Sequence, residues 1–74
     1  MKLIHLPTLA TIRSLAYSTH SYVILRKNHA FDRWIGLFYS SSGRLLYNTS
    51  HQSERQVLKK LLCAVEKRLA NYSI

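Results

Sequence analysis

The sequence predicts a small α+β fold, a three-stranded antiparallel meander with an N-terminal short helix and a C-terminal amphipathic helix in the order α-β-β-β-α, and three observations carry it. SYVILRK, RWIGLFYS and RLLYNT are β-branched and aromatic runs separated by short polar stretches, the pattern of successive strands joined by turns. The segment from Ser53 onward repeats apolar residues at helical spacing behind a capping signature. A shorter segment of the same period precedes the first strand. The 74 residues, 47% hydrophobic with two glycines and one proline, make one folded domain, 1–74, because a disordered chain carries far fewer apolar groups.

Residues 8–18, TLATIRSLAYS, place Leu9, Ile12, Leu15 and Ala16 within an arc of about 120°. This is a short amphipathic helix, with Thr8 as its cap and Pro7 just outside. Residues 21–27 form the first strand, NHAFD at 28–32 a turn, and 33–40 the second strand. SSG makes a tight turn into the third strand, 44–49. SERQ at 53–56 matches a capping box, in which Ser53 reaches forward to an orphan amide and Gln56 reaches back. From Glu54 to about Ala70, Val57, Leu58, Leu61, Leu62, Val65 and Leu69 share one helix face. Lys59, Lys60 and Lys67 project from the other.

Pairing Lys27 with Arg33 and Tyr39 with Arg44 assigns every strand residue to a face. One face then holds Val23, Leu37 and Leu46, followed by Leu25, Ile35 and Asn48, and is flanked by Tyr39 and Arg44. Its branched aliphatic residues mark it as the expected core. The other holds Tyr22, Phe38 and Leu45, then Ile24, Gly36 and Tyr47, then Arg26, Trp34 and Thr49. Left bare, this aromatic face would be a large apolar patch. Its expected cover is the N-terminal helix, with the C-terminal helix on the opposite face, or a second copy, or a target. Self-association is favoured, because so short a chain has little core of its own. Tyr22, Phe38, Leu45 and Tyr47 are the expected interface residues.

Eleven Lys and Arg against Asp32, Glu54 and Glu66 leave a formal net charge of +8, which draws the chain to polyanions. The candidate contacts to nucleic acid or an acidic partner are Arg26, Lys27, Arg33, Trp34, Arg44, Lys59, Lys60 and Lys67. The expected function is that of a small basic nucleic-acid-binding or regulatory protein, acting by binding and not as an enzyme. The alternative is a protein-binding adaptor or inhibitor, of the size phages and mobile elements encode, docking on an acidic partner through its aromatic sheet face.

No constellation for catalysis is visible. His5, His20, His29 and His51 form no metal-like pair, and the two glycines, Gly36 and Gly43, make no phosphate loop. No cofactor or metal is expected. The lone Cys63 cannot form an internal bridge and reads as an inert side chain in a reducing compartment, so the expected location is cytoplasmic. The longest apolar runs, YVIL and WIGLFY, fall far short of a membrane span. Lys2 begins no plausible signal peptide, because Pro7 and Arg13 interrupt the apolar stretch that one needs.

Residues 22–70, with Tyr22, the Trp34–Gly36 pair, the Gly43–Arg44 turn, Thr49 and the following helix, resemble the three-strand-plus-helix pattern of the AP2 and phage-integrase arm-type DNA-binding domains. That resemblance implies a sheet that faces DNA, although most of the sheet arginines of those families are Tyr, Phe and Ile here. The α-β-β-β-α order is also similar to that of double-stranded-RNA-binding domains. Their last helix opens with phosphate-binding lysines, whereas this one opens with Glu54 and Arg55.

Overall fold

The structure, a computed structural model, describes residues 8–72. Lys2, where a signal peptide fits poorly, His5, and Pro7, the expected flank of the first helix, lie outside the described residues. The element order is α1 (Leu9–Tyr17), β1 (Ser21–Asn28), β2 (Arg33–Ser40), β3 (Leu45–His51) and α2 (Glu54–Tyr72), the expected α-β-β-β-α. Thr8 caps α1 as expected: its Oγ1 accepts a hydrogen bond from the Thr11 amide at 3.2 Å. The helix ends in a tight turn in which His20 takes a positive φ of 56°.

The cap of α2 is assembled differently from the predicted box. Ser53 Oγ accepts from the Gln56 amide at 3.4 Å, as that motif requires. The Ser53 amide, however, donates to His51 Nδ1 at 2.9 Å. A histidine at the end of β3 thus satisfies the donor that the motif reserves for Gln56.

The sheet has β2 at its centre, antiparallel to both neighbours. Its first hairpin departs from the expected register by one residue: Lys27 pairs with Trp34, and Asn28 with Arg33. The cause lies in the loop. Asn28 Oδ1 accepts from the Ala30 amide at 3.1 Å, an Asx-type turn that lets β1 run on through Asn28. Asp32 turns the chain back at φ 49° and is held by Lys27 Nζ at 2.9 Å. A one-residue shift moves every β1 side chain to the other face relative to β2.

In the second hairpin Tyr39 pairs with Leu45, not Arg44, and Phe38 pairs with Tyr47. Leu46 is the extra residue of a β-bulge. The Ser40 amide donates to the Arg44 carbonyl at 2.9 Å, which closes a three-residue loop whose Gly43 has φ 90°. Glycine takes that conformation without steric cost.

These registers invert the expected facing of β2, whereas Val23 and Leu25 of β1 belong to the core as expected and Leu46 of β3 packs against it. Val23, Phe38 and the half-buried Leu25, Trp34 and Tyr47 pack with Ile12, Ala16, Val57, Leu61 and Val65 to form the core. Leu37, Ile35 and Tyr39, the expected core residues of β2, lie on the opposite face with Tyr22, Ile24, Arg26 and Leu45. The helices are not on opposite faces either. α1 packs against β1 and α2, α2 packs across β2 and β3, and both feed one cluster. The molecule is 16 Å thick in its thin dimension, room for one helical layer on one sheet.

Gly36 marks the point where α2 crosses the sheet. A Cβ there would lie 2.7 Å from Val57 Cγ1 and 2.8 Å from Leu61 Cδ1, so only glycine lets the helix come this close. A buried polar joint ties α1, β1 and α2 together. Arg68 Nε donates to Ser21 Oγ at 2.9 Å, and Ser21 Oγ donates to the Thr19 carbonyl at 3.0 Å. The Thr19 hydroxyl donates to the Ala16 carbonyl at 2.9 Å. Each buried polar group therefore has the partner that its removal from water demands.

Candidate nucleic-acid interface

The helical spacing of α2 sets one of its flanks along β3. Lys60 and Lys67 lie on this flank, seven residues and thus about 10.5 Å apart along the axis. Tyr47, on the helix side of β3, shares one depression with both, lined by Tyr47, Lys60, Cys63, Ala64 and Lys67. It runs on into a groove of about 510 Å³ whose floor is Phe38, Leu46, Tyr47 and Ala64, and whose far end is Arg68, Asn71 and Tyr72. The bulge at Leu46 places two consecutive apolar residues of β3 in that floor.

The groove is apolar below and cationic along its helical rim. Lys60 and Lys67 are exposed. The Arg68 guanidinium lies 5.3 Å from the Tyr72 ring centroid, and the His20 ring is 6.0 Å from the same ring at an interplanar angle of 47°. Tyr72 is thereby held at the end of the groove by contacts from α2 itself and from the turn before β1.

The remaining sequence-predicted residues are dispersed. Lys27 is on the helix side of the sheet, paired with Asp32 and 5.1 Å above the Trp34 ring, so both Lys27 and Trp34 are engaged within the fold. Lys27 also holds the Asp32 carboxyl below its ordinary value, chiefly through their hydrogen bond and then through its charge. Arg33 Nη2 donates to the Ser50 carbonyl at 3.3 Å, clamping β2 to β3. Arg26 is exposed on the face away from the helices, Arg44 is exposed at the second turn, and Lys59 is exposed on the back of α2. The four expected interface residues divide. Phe38 and Tyr47 are on the helix side, Phe38 being 2% exposed, whereas Tyr22 and Leu45 are 43% and 45% exposed on the open side.

Leu46, Ala64, Arg68, Asn71 and Tyr72 were not anticipated in the site. Arg68 carried a readable signal: it stands seven residues after Leu61, on the apolar stripe of the helix, where a cation needs a polar partner. Ser21 is that partner.

Among the described residues, no group of three or more His, Cys, Asp or Glu is placed to hold a metal ion, and no helix is long and apolar enough to cross a membrane. No protein-family model, curated protein or solved structure matches the chain.

Proposed function

We propose that the protein binds single-stranded nucleic acid in the groove between β3 and α2, and acts by binding rather than by catalysis. The observation that carries this reading is the junction of Lys60, Lys67 and Tyr47: two exposed cations, two helical turns apart, beside a ring that forms part of an apolar floor. Nonspecific single-strand sites combine these parts, cations for the backbone and an aromatic face on which a base stacks. Tyr72 offers a second ring at the far end of the same groove. The net charge of +8 supplies the long-range attraction. The alternative, docking on an acidic protein through an aromatic sheet face, loses Phe38 and Tyr47 to the helix side and Trp34 to its contact with Lys27.

Fluorescence anisotropy with a labelled mixed-sequence oligonucleotide, single-stranded and duplex, tests the proposal. Affinity for the single strand should fall linearly with the logarithm of salt. The double variant Lys60→Gln/Lys67→Gln should reduce that slope by about 1.4, two contacts at roughly 0.7 each. Tyr47→Leu, which keeps an apolar side chain in the floor, should weaken binding by about 1–3 kcal/mol with little change in slope. Binding that is unaffected by both variants, or that prefers the duplex, would overturn the assignment of the groove.

A further inference from the structure

The face of the sheet away from the helices is a feature that the groove leaves unused. Its rows run, from one end of the strands to the other, Tyr22–Tyr39–Leu45, Ile24–Leu37–Asn48, Arg26–Ile35–Ser50 and Asn28–Arg33. The Tyr22 and Tyr39 rings stack with centroids 5.3 Å apart. The face is therefore polar along the strand direction, with electron-rich rings at one end, aliphatic side chains in the middle and guanidinium groups at the other. It carries no carboxylate. Asp32 is bound to Lys27 at the hairpin, and Glu54 and Glu66 belong to α2.

We infer that this face is covered by a second copy of the chain, in a twofold dimer that packs sheet on sheet. Consider a twofold axis lying between the copies and crossing the strands at the Ile24–Leu37 row. Rotation about it reverses the strand direction and keeps β1 over β1. Leu37 then meets Leu37, and the Tyr22–Tyr39 row of each copy meets the Arg26–Ile35 row of the other. Tyr22 of one copy faces Arg26 of its partner, and the contact occurs twice. The order of ring, aliphatic residue and cation is thus complementary to itself, as an isologous interface requires, and each Arg26 receives the ring face that a guanidinium prefers. An acidic protein gains little from the same surface. Its cations are Arg26 and Arg33, and Arg33 already donates to the Ser50 carbonyl, so most of the face has no charge to offer. Sheet-on-sheet packing also leaves both β3–α2 grooves on the outside of the dimer, where two sites on one strand of nucleic acid would reinforce each other.

Sedimentation equilibrium from micromolar to near-millimolar protein, without nucleic acid, tests the dimer separately from the groove. The mass should double across that range. Tyr22→Lys, which sets a cation against the partner's Arg26 twice, and Leu37→Asp should remain monomeric with an unchanged far-ultraviolet circular dichroism spectrum. Should Leu37→Asp fail to fold, Tyr22→Lys, at an exposed position on an edge strand, decides. Arg26→Ala should weaken association by at least about fivefold, since it removes a cation–ring contact twice. Lys60→Gln/Lys67→Gln should dimerise like the parent whatever it does to nucleic-acid binding. A parent chain that stays monomeric throughout, or a dimer that survives Tyr22→Lys, would overturn the inference and leave the face to a partner of different sequence.

Discussion

The two faces of the sheet are built from alternate residues of the same three strands, yet they do different work. Phe38 is buried in the core to which both helices contribute, while its neighbour Leu37 is half-buried on the open face. The helix side mixes aromatic, aliphatic and glycine positions, because α2 needs a dent at Gly36 and bulk on either side of it. The open side is sorted along the strands into rings, aliphatics and arginines. Packing against a rigid helix selects for shape; a surface meant for another molecule can be sorted by chemistry. Amino-acid type alone is thus a poor guide to which face is the core, since the aliphatic β2 positions Ile35 and Leu37 face outward with Tyr39, whereas the aromatic Trp34 and Phe38 face inward.

The contrast is broken most severely by emptying the inner face. Phe38→Ala should cost about 3–5 kcal/mol, comparable with the whole stability of a small domain, as read from urea or thermal unfolding. Leu37→Ala, measured at a concentration that keeps chains apart, should cost about 1 kcal/mol or less, since its side chain is only partly withdrawn from water. Equal losses at these adjacent positions would refute the register.

Gly36→Ala is the next largest effect expected. Its methyl would press on Val57 and Leu61, both fully buried, and overpacking of that kind costs about 1–3 kcal/mol. A variant as stable as the parent would show that α2 does not cross the sheet so closely. Ser21→Ala should cost about 1–2 kcal/mol in the same assay, because it takes the partner from Arg68 at the joint of α1, β1 and α2.

The smallest effect belongs to Asp32, whose side chain is 82% exposed. Its carboxyl is depressed in the folded chain, mainly by the Lys27 hydrogen bond. The pair therefore contributes stability above the unfolded carboxyl value, near 3.9, and that contribution is lost as pH falls through the lower folded value. Asp32→Asn should scarcely shift the melting temperature at neutral pH, and should flatten the dependence of melting on pH below about 4. A steep neutral-pH loss would mean that the hairpin depends on this exposed pair far more than solvent screening allows.

All five elements were legible in the sequence, because each rests on local signals: the Thr8 cap, the period of Val57, Leu61 and Val65, and β-branched runs between turns. The faces were not. They depend on the parity of a loop, and the Asx turn at Asn28 and the bulge at Leu46 each move the count by one. Lys60 and Lys67 could be read as one flank of the last helix; that Tyr47 meets them could not, since only the tertiary crossing of α2 over β3 brings them together. Arg68 was legible in principle, as a cation on an apolar stripe, though its partner Ser21 is 47 residues away.

The proposed division between an inner side that carries a nucleic-acid groove and an outer side that does not is tested most directly by backbone amide chemical shifts, followed as a single-stranded oligonucleotide is added to the labelled protein. The largest changes should fall at Tyr47, Lys60, Ala64 and Lys67, with Ile24 and Leu37 unmoved at constant protein concentration. Shifts concentrated instead on Tyr22, Ile24, Arg26 and Leu37 would place the strand on the open sheet and contradict the account.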